Sequence, residues 1–270
     1  MSDTASTPGE QPQEGRVTTE VVDRVLLIGL DRPAKKNALT PEMFAQLSEA
    51  YARYAADDDL RCAVLYGEGA VFSAGADLTR LASLTESGLS YGPDEYDPFG
   101  TEGARLTKPL ISAVHGMCFA GGLELALASD FIIAAEGTVI GQPEVARGLF
   151  AFGGGAARWG DRVGSGNAMR YLLTGELLDA REAYRIGLVQ EVVPVDGLKD
   201  RAMALASVIA ANAPLGVRDT LEVGRIVHDR GLQAGLDEIS PRRDQILRSQ
   251  DAHEGLVSFT ERRPANYVGK

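Results

Sequence analysis

Runs of apolar residues alternate along this chain between a period of two and a period near 3.6. Val17 to Leu30 (VTTEVVDRVLLIGL) holds two β-rich runs either side of Asp23-Arg24, which predicts a pair of strands. Thr40-Pro41-Glu42 supplies an N-cap, a proline at the first helical position and a first-turn acid. Phe44, Leu47, Tyr51 and Tyr54 follow at helical spacing, so this helix turns one face to a core. Asp57-Asp58-Asp59 ends it, and Arg61 to Tyr66 returns as a short buried strand. The first third therefore reads strand, strand, helix, strand.

The alternation recurs without a fixed period. Pro109 to Val114 (PLISAV) predicts a buried strand and Gly121-Gly122 opens a helix running to about Ser129. Asp130 to Ala135 (DFIIAA) and Thr138 to Gly141 are further strands. After Gly153 the pattern is mostly helical. Asp179 with Glu182 makes a capping-box start, Gly187 a stop, and Val189 to Val193 one more strand. Asp200 to Ala211, Gly216 to Arg230 and Leu236 to Leu247 are amphipathic helices with more apolar face than one chain covers. Short strands alternating with helices predict an α/β or spiral arrangement. The expected division is a disordered tail over residues 1–15, a catalytic unit over 16–198 and a helical oligomerisation region over 199–270.

Composition narrows the function. With 270 residues, 44% apolar and 24% charged, the chain buries a core without staples. A net charge of −11 opposes binding to extended polyanions, so no nucleic-acid partner is expected. Cys62 and Cys118 lack metal-ligand spacing, and no metal is expected. Residues 1–15 lack the apolar stretch of a signal peptide, and no apolar run reaches membrane-spanning length. The expectation is a cytoplasmic protein with no membrane partner. His115 closes a strand, His228 and His253 sit in the polar helical tail, and Trp159 reads as a packing residue. No G-x-S-x-G element supports a hydrolase. Ser83 to Glu102 mixes turn formers, acids and isolated aromatics, the pattern of a mobile loop that walls a binding pocket.

Three segments place unusual residues where strands hand over to helices. In Phe72-Ser73-Ala74-Gly75-Ala76-Asp77-Leu78 a strand ends in a tight turn at Gly75 and a helix starts at Asp77. The Ala76 N–H is then a first-turn donor open to an anion. In His115 to Leu125 (HGMCFAGGLEL), Gly121 exposes another such N–H and Glu124 lies in the first turn of an apolar helix. In Gly141-Gln142-Pro143-Glu144, Pro143 holds Gln142 extended and presents Glu144 rigidly. Each segment alone also fits a plain junction, a dipole-paired glutamate or a solvated turn acid. Together they supply two backbone donors and two glutamates. Two such donors suit the oxyanion of a thioester enolate, and a carboxylate pair can hold a water and exchange protons with carbon.

DRPAKKNALT (Asp31 to Thr40), FSAGADL, AGGLELA and GQPE, in this order, with the C-terminal EGLVSFTERRPANY, resemble the enoyl-CoA hydratase/isomerase or crotonase family from about Val17 to Tyr267. The resemblance implies a crotonase-like spiral of ββα units with a C-terminal helical trimerisation region, giving a homotrimer or a hexamer. It implies an acyl-CoA thioester substrate and no separate cofactor, coenzyme A being part of the substrate. Ala76 and Gly121 would form the oxyanion hole, Glu124 would activate water, and Glu144 would deliver a proton to the α-carbon. Lys35, Lys36, Ala74, Asp77, Leu78, Thr79 and Arg262 (with Arg263 beside it) would line the coenzyme A site. Two departures stand out. Ala151-Phe152 replaces the usual Pro-Gly before Gly153, so that Phe150 and Phe152 would shape the acyl pocket. Ala120 replaces the first glycine of the usual triplet, which reads as a mild change. The expected reaction is hydration of 2-enoyl-CoA. Double-bond isomerisation is the nearest alternative, and a non-catalytic scaffold binding CoA or RNA a remote one.

Overall fold

A hairpin starts the main sheet: β1 (Arg16–Val22) runs antiparallel to β2 (Val25–Asp31), with Val22 opposite Val25. Asp23 takes φ +52° in the two-residue turn, a conformation that aspartate tolerates. The structure is a computed structural model and describes residues 15–80 and 90–270. The expected tail lies, Gly15 apart, outside the described residues. β3 (Cys62–Gly67), β4 (Leu110–Val114), β6 (Phe131–Ala135) and β9 (Glu191–Val193) add in parallel, giving the order β1-β2-β3-β4-β6-β9. A smaller sheet joins β5 (Met117–Phe119), β7 (Val139–Gly141) and β8 (Leu178–Asp179) in the order β5-β7-β8.

The inner strands β2, β3, β4 and β6 are buried on both faces, which is why β2 reads as the near-continuous run VLLIGL. Leu26, Ile28 and Leu30 face a core shared with Phe44, Leu47, Tyr51 and Tyr54 of α1 (Pro41–Ala56). Thr40 caps that helix, its hydroxyl accepting from the Met43 N–H at 3.3 Å. Val25, Val64, Ile111, Ala113 and Ile133 face the other way. Around the smaller sheet lie α2 (Gly121–Ala128), α3 (Gly155–Val163), α4 (Ser165–Thr174) and α5 (Ala180–Arg185), the last capped by Asp179 through the Glu182 N–H.

The second face of the main sheet is covered by α6 (Leu198–Ala211), whose Ala202, Ala206 and Ala210 recur every four residues against it. This helix begins the stretch expected to form the oligomerisation region, yet it packs in the core of its own domain, because small side chains at that spacing let a helix lie close on a sheet. The helices beyond differ. In α7 (Pro214–Arg230) and α8 (Leu232–Ile246) only Ile226 and Gly235 are buried, while Leu232, Leu236, Ile239, Leu256 and Phe259 are exposed, the last two on α9 (Gln250–Glu261). Among the described residues no helix is long and apolar enough to cross a membrane.

Candidate active site

Backbone pairing lays the three segments side by side. Ser73 N–H donates to Met117 O and Phe119 N–H to Ser73 O, so the Phe72–Asp77 stretch runs along β5. It does so through isolated bridges and not as the regular strand expected, and Asp77 leads into a 3-10 turn over Leu78–Arg80. On its other side β5 pairs with β7, and Ala120 N–H donates to Gly141 O at 3.0 Å. The start of α2 therefore stands next to Ala76, and the Glu144–Arg147 3-10 turn follows β7 across β5 from it.

Gly75 takes φ +99°, and a methyl group there would lie 2.8 Å from the Ala120 Cβ, so the turn admits no side chain. The same imaginary methyl would stand 3.3 Å from the Gly121 nitrogen, and one on Gly121 3.4 Å from the Ala76 nitrogen. The two amides thus face one small space, and neither N–H donates a hydrogen bond among the described residues. Ala120 sits at φ +50°, ψ −127°, a region that glycine occupies freely and alanine does not. Its replacement of glycine is therefore a strained substitution, contrary to the mild change expected from the sequence.

Glu124 and Glu144 are both buried. Glu124 Oε1 accepts from the Gly155 N–H at 2.9 Å. Burial pushes its carboxyl up to about 7, and the charge of Glu144 adds to the rise, while Gly155, Gly153 and Arg158 oppose it. The Glu144 carboxyl is also raised by burial, opposed by a 2.6 Å hydrogen bond from Gln142 Nε2 to its Oε1. Its Oε2 is buried with no hydrogen-bond partner among the described residues. A buried carboxylate oxygen left open costs stability unless a ligand or water completes it. Two acids with separately tuned environments can divide the roles of base and acid between them.

The coenzyme A candidates gather around a different anchor. Arg32 donates to the Asp77 carboxylate at 2.7 Å, tying the turn that carries Lys35 and Lys36 to the one that carries Ala74. Ala74 N–H donates to Lys36 O. The Asp77 carboxylate is also taken up by the Thr79 N–H and hydroxyl, which hold it below its ordinary range together with Arg32. Leu78 is exposed beside them. Arg262 ends α9 in the left-handed conformation, its side chain without a hydrogen bond among the described residues, and no contact joins it to this anchor. Arg263 is held by Glu254 and Glu261.

Phe150 and Phe152 are 63% and 49% exposed and meet edge to face at 6.0 Å, while Ala151 between them is buried. In the single chain they turn to the surface and Ala151 faces inward. The aromatic ring beside the acids is Phe99: methyl groups built on Gly153 and Gly121 would lie 2.9 and 3.5 Å from it. Phe99 is buried edge-on against Phe44. Of the expected mobile wall, residues 83–89 lie outside the described residues. The rest is a pinned turn, since the buried Asp97 carboxylate accepts from Phe99 N, Thr101 N, the Thr101 hydroxyl and Glu102 N. Phe99, Gly153, Gly155, Arg158 and Gln142 were not legible as site residues. The Asp-x-Phe turn around Phe99 was the one usable signal, as an Asx turn that fixes an aromatic.

Residues 20–270 match a sequence model of the enoyl-CoA hydratase/isomerase family. The chain belongs to the enoyl-CoA hydratase/isomerase family. It is 34% identical over 250 residues to the 2,3-dehydroadipyl-CoA hydratase of Escherichia coli K12, covering 92% of this chain and 96% of that one. It is 36% identical to enoyl-CoA hydratase EchA19 of Mycobacterium tuberculosis, over 91% of this chain and 93% of the relative. The crystal structure of a probable enoyl-CoA hydratase/isomerase from Mycobacterium abscessus superposes with a TM-score of 0.90 at 44% identity, covering 94% of this chain and 98% of that one. The two sheets and their helices are thus the crotonase fold, and membership of the family implies an acyl-CoA thioester substrate.

Proposed function

We propose that this member of the family hydrates a 2-enoyl-CoA to the 3-hydroxyacyl-CoA. The observation that carries the reading is the pair of buried acids in the same region as two N–H groups that donate no hydrogen bond among the described residues. The thioester oxygen takes hydrogen bonds from the Ala76 and Gly121 amides, which strengthen as charge builds on it. A water lies between the acids. Glu124, ionised, takes a proton from it as the oxygen bonds to C3. The electrons move onto the thioester oxygen, giving the enolate. Glu144, protonated on Oε2, then delivers its proton to C2, and the thioester carbonyl reforms. Each turnover leaves Glu124 with a proton and Glu144 without one, and exchange with solvent resets the pair.

The exposed apolar positions of α8 and α9 support a homotrimer, or a hexamer built from two, as the working assembly. The test of function is direct. The protein is mixed with crotonyl-CoA and, separately, with a 3-enoyl-CoA, and products are separated. Loss of the conjugated absorbance with formation of 3-hydroxybutyryl-CoA is expected. Double-bond migration without net addition of water would replace this reading by the isomerase.

A further inference from the structure

Helix α3 presents one face to both acids. Gly155 opens the helix and gives its N–H to Glu124, and Trp159, four residues on, lies on the same face. Trp159 is fully buried, its ring 5.6 Å from that of Tyr171. Its indole Nε1–H donates to Gln142 Oε1 at 3.3 Å. Gln142 is itself buried, and its Nε2 donates to Glu144 Oε1 at 2.6 Å. The amide carbon of Gln142 packs behind both acids, since a methyl on Gly155 would meet it at 3.2 Å and Glu124 Oε1 at 3.0 Å.

An amide has two orientations of nearly equal shape, and only its partners choose between them. Glu144 alone does not choose: a protonated carboxyl can donate to an amide oxygen as readily as it accepts from an amide nitrogen. The indole does choose, because it is a donor only. We propose that Trp159 is a positioning residue for the reaction: by fixing the Gln142 amide it makes Glu144 Oε1 an acceptor and so confines the transferable proton to Oε2. With the amide reversed, the proton would sit on Oε1, bonded to Gln142 and turned from the substrate. This inference rests on Glu144 acting as the proton donor of hydration.

The test is a double-mutant cycle on the full chain in crotonyl-CoA hydration, comparing the unmodified enzyme with Trp159→Phe, Gln142→Met and both together. Trp159→Phe is expected to lower kcat about ten-fold. KM should stay within about two-fold, and the double variant should be no slower than Gln142→Met alone. Additive losses would overturn the inference, since a tryptophan that only packs acts independently of Gln142. Trp159 is the single tryptophan of the chain. Replacing it biosynthetically by its benzothiophene analogue removes the N–H and keeps the ring, so a folding defect in Trp159→Phe leaves the test standing. Wild-type kcat in the analogue-bearing enzyme would overturn the inference.

If the unmodified enzyme hydrates nothing, the functional reading fails, and carbon-13 NMR of the Glu144 carboxyl decides the relay separately. The charged group facing Glu144 is Glu124, with Arg158 beside the latter, and neither changes in these variants. Loss of the indole N–H should raise the Glu144 midpoint, because donation from Gln142 holds it down against burial. An unmoved midpoint would overturn the relay.

Discussion

The acid pocket and the C-terminal helices break the ordinary rule of burial in opposite directions. Around Glu124 and Glu144, polar groups are buried and one carboxylate oxygen has no hydrogen-bond partner among the described residues. On α8 and α9, apolar side chains stand in water, Phe259 at 84% exposure. The two departures differ in sign, and each suits a different kind of contact. Buried carboxyl groups suit a polar ligand, and an exposed apolar surface suits protein. The two regions should respond separately to mutation.

The largest effects belong to the pocket. Glu144→Gln and Glu124→Gln should each lower crotonyl-CoA turnover by about a hundred- to ten-thousand-fold, with assembly unchanged in sedimentation. Ala76→Pro deletes one oxyanion donor and should cost about a hundred- to a thousand-fold in kcat, with its fold checked by circular dichroism. Ala76→Gly keeps the donor and should keep most of the activity. A folded Ala76→Pro enzyme of normal turnover would separate this cleft from enolate chemistry.

Titration gives the next effect. In the proposed hydration Glu124 is the base and must be ionised, so kcat/KM should fall about ten-fold per pH unit below about 7. Stability moves the other way. The folded carboxyl holds its proton up to about 7 against an ordinary 4.5, so the native state binds more protons than the unfolded chain between those values. Stability therefore falls as pH rises through that window and levels off above it. Glu124→Gln removes the loss, so relative to the parent it should gain up to about 3 kcal/mol at pH 8 and nothing at pH 4, read by urea unfolding.

On the other side of the comparison, Phe259→Asp combined with Leu256→Asp should shift the protein toward monomer in sedimentation, leaving the hairpin and main sheet folded. Unchanged sedimentation would show that this surface serves something other than self-association. The smallest effect is expected at Ala120. Ala120→Gly relieves a positive-φ alanine and should stabilise by about 1 kcal/mol with the oxyanion amides in place.

Much of the frame was legible in local pattern. The hairpin at Asp23, the Thr40 and Asp179 caps and the Gly121 helix start follow from residues close together in sequence. The paired acids were legible too, because each sits in a short motif beside a strand. What was not legible depends on long-range closure. Phe99 reaches Gly121 and Gly153 only once the Asp97 turn folds onto α1, and nothing in its own neighbourhood points there. Trp159 read as packing because its periodicity is that of a core residue, whereas its N–H finds a partner 17 positions away. Asp77 read as a ligand contact, and its engagement with Arg32 depends on a turn 45 residues earlier.

The glycines at 153 and 155 bear on how this pocket can change over generations. A methyl group on Gly153 would press Glu124 Oε2 at 2.8 Å, and one on Gly155 would press Oε1 at 3.0 Å. Every missense change at those two codons therefore presses on the Glu124 carboxylate, so that wall is closed to gradual exploration. Room beside Glu124 is more open to change at Phe99, on the Asp97 turn. There a smaller or larger side chain alters room without touching either acid's hydrogen bonds, and a library aimed at new substrates should begin there.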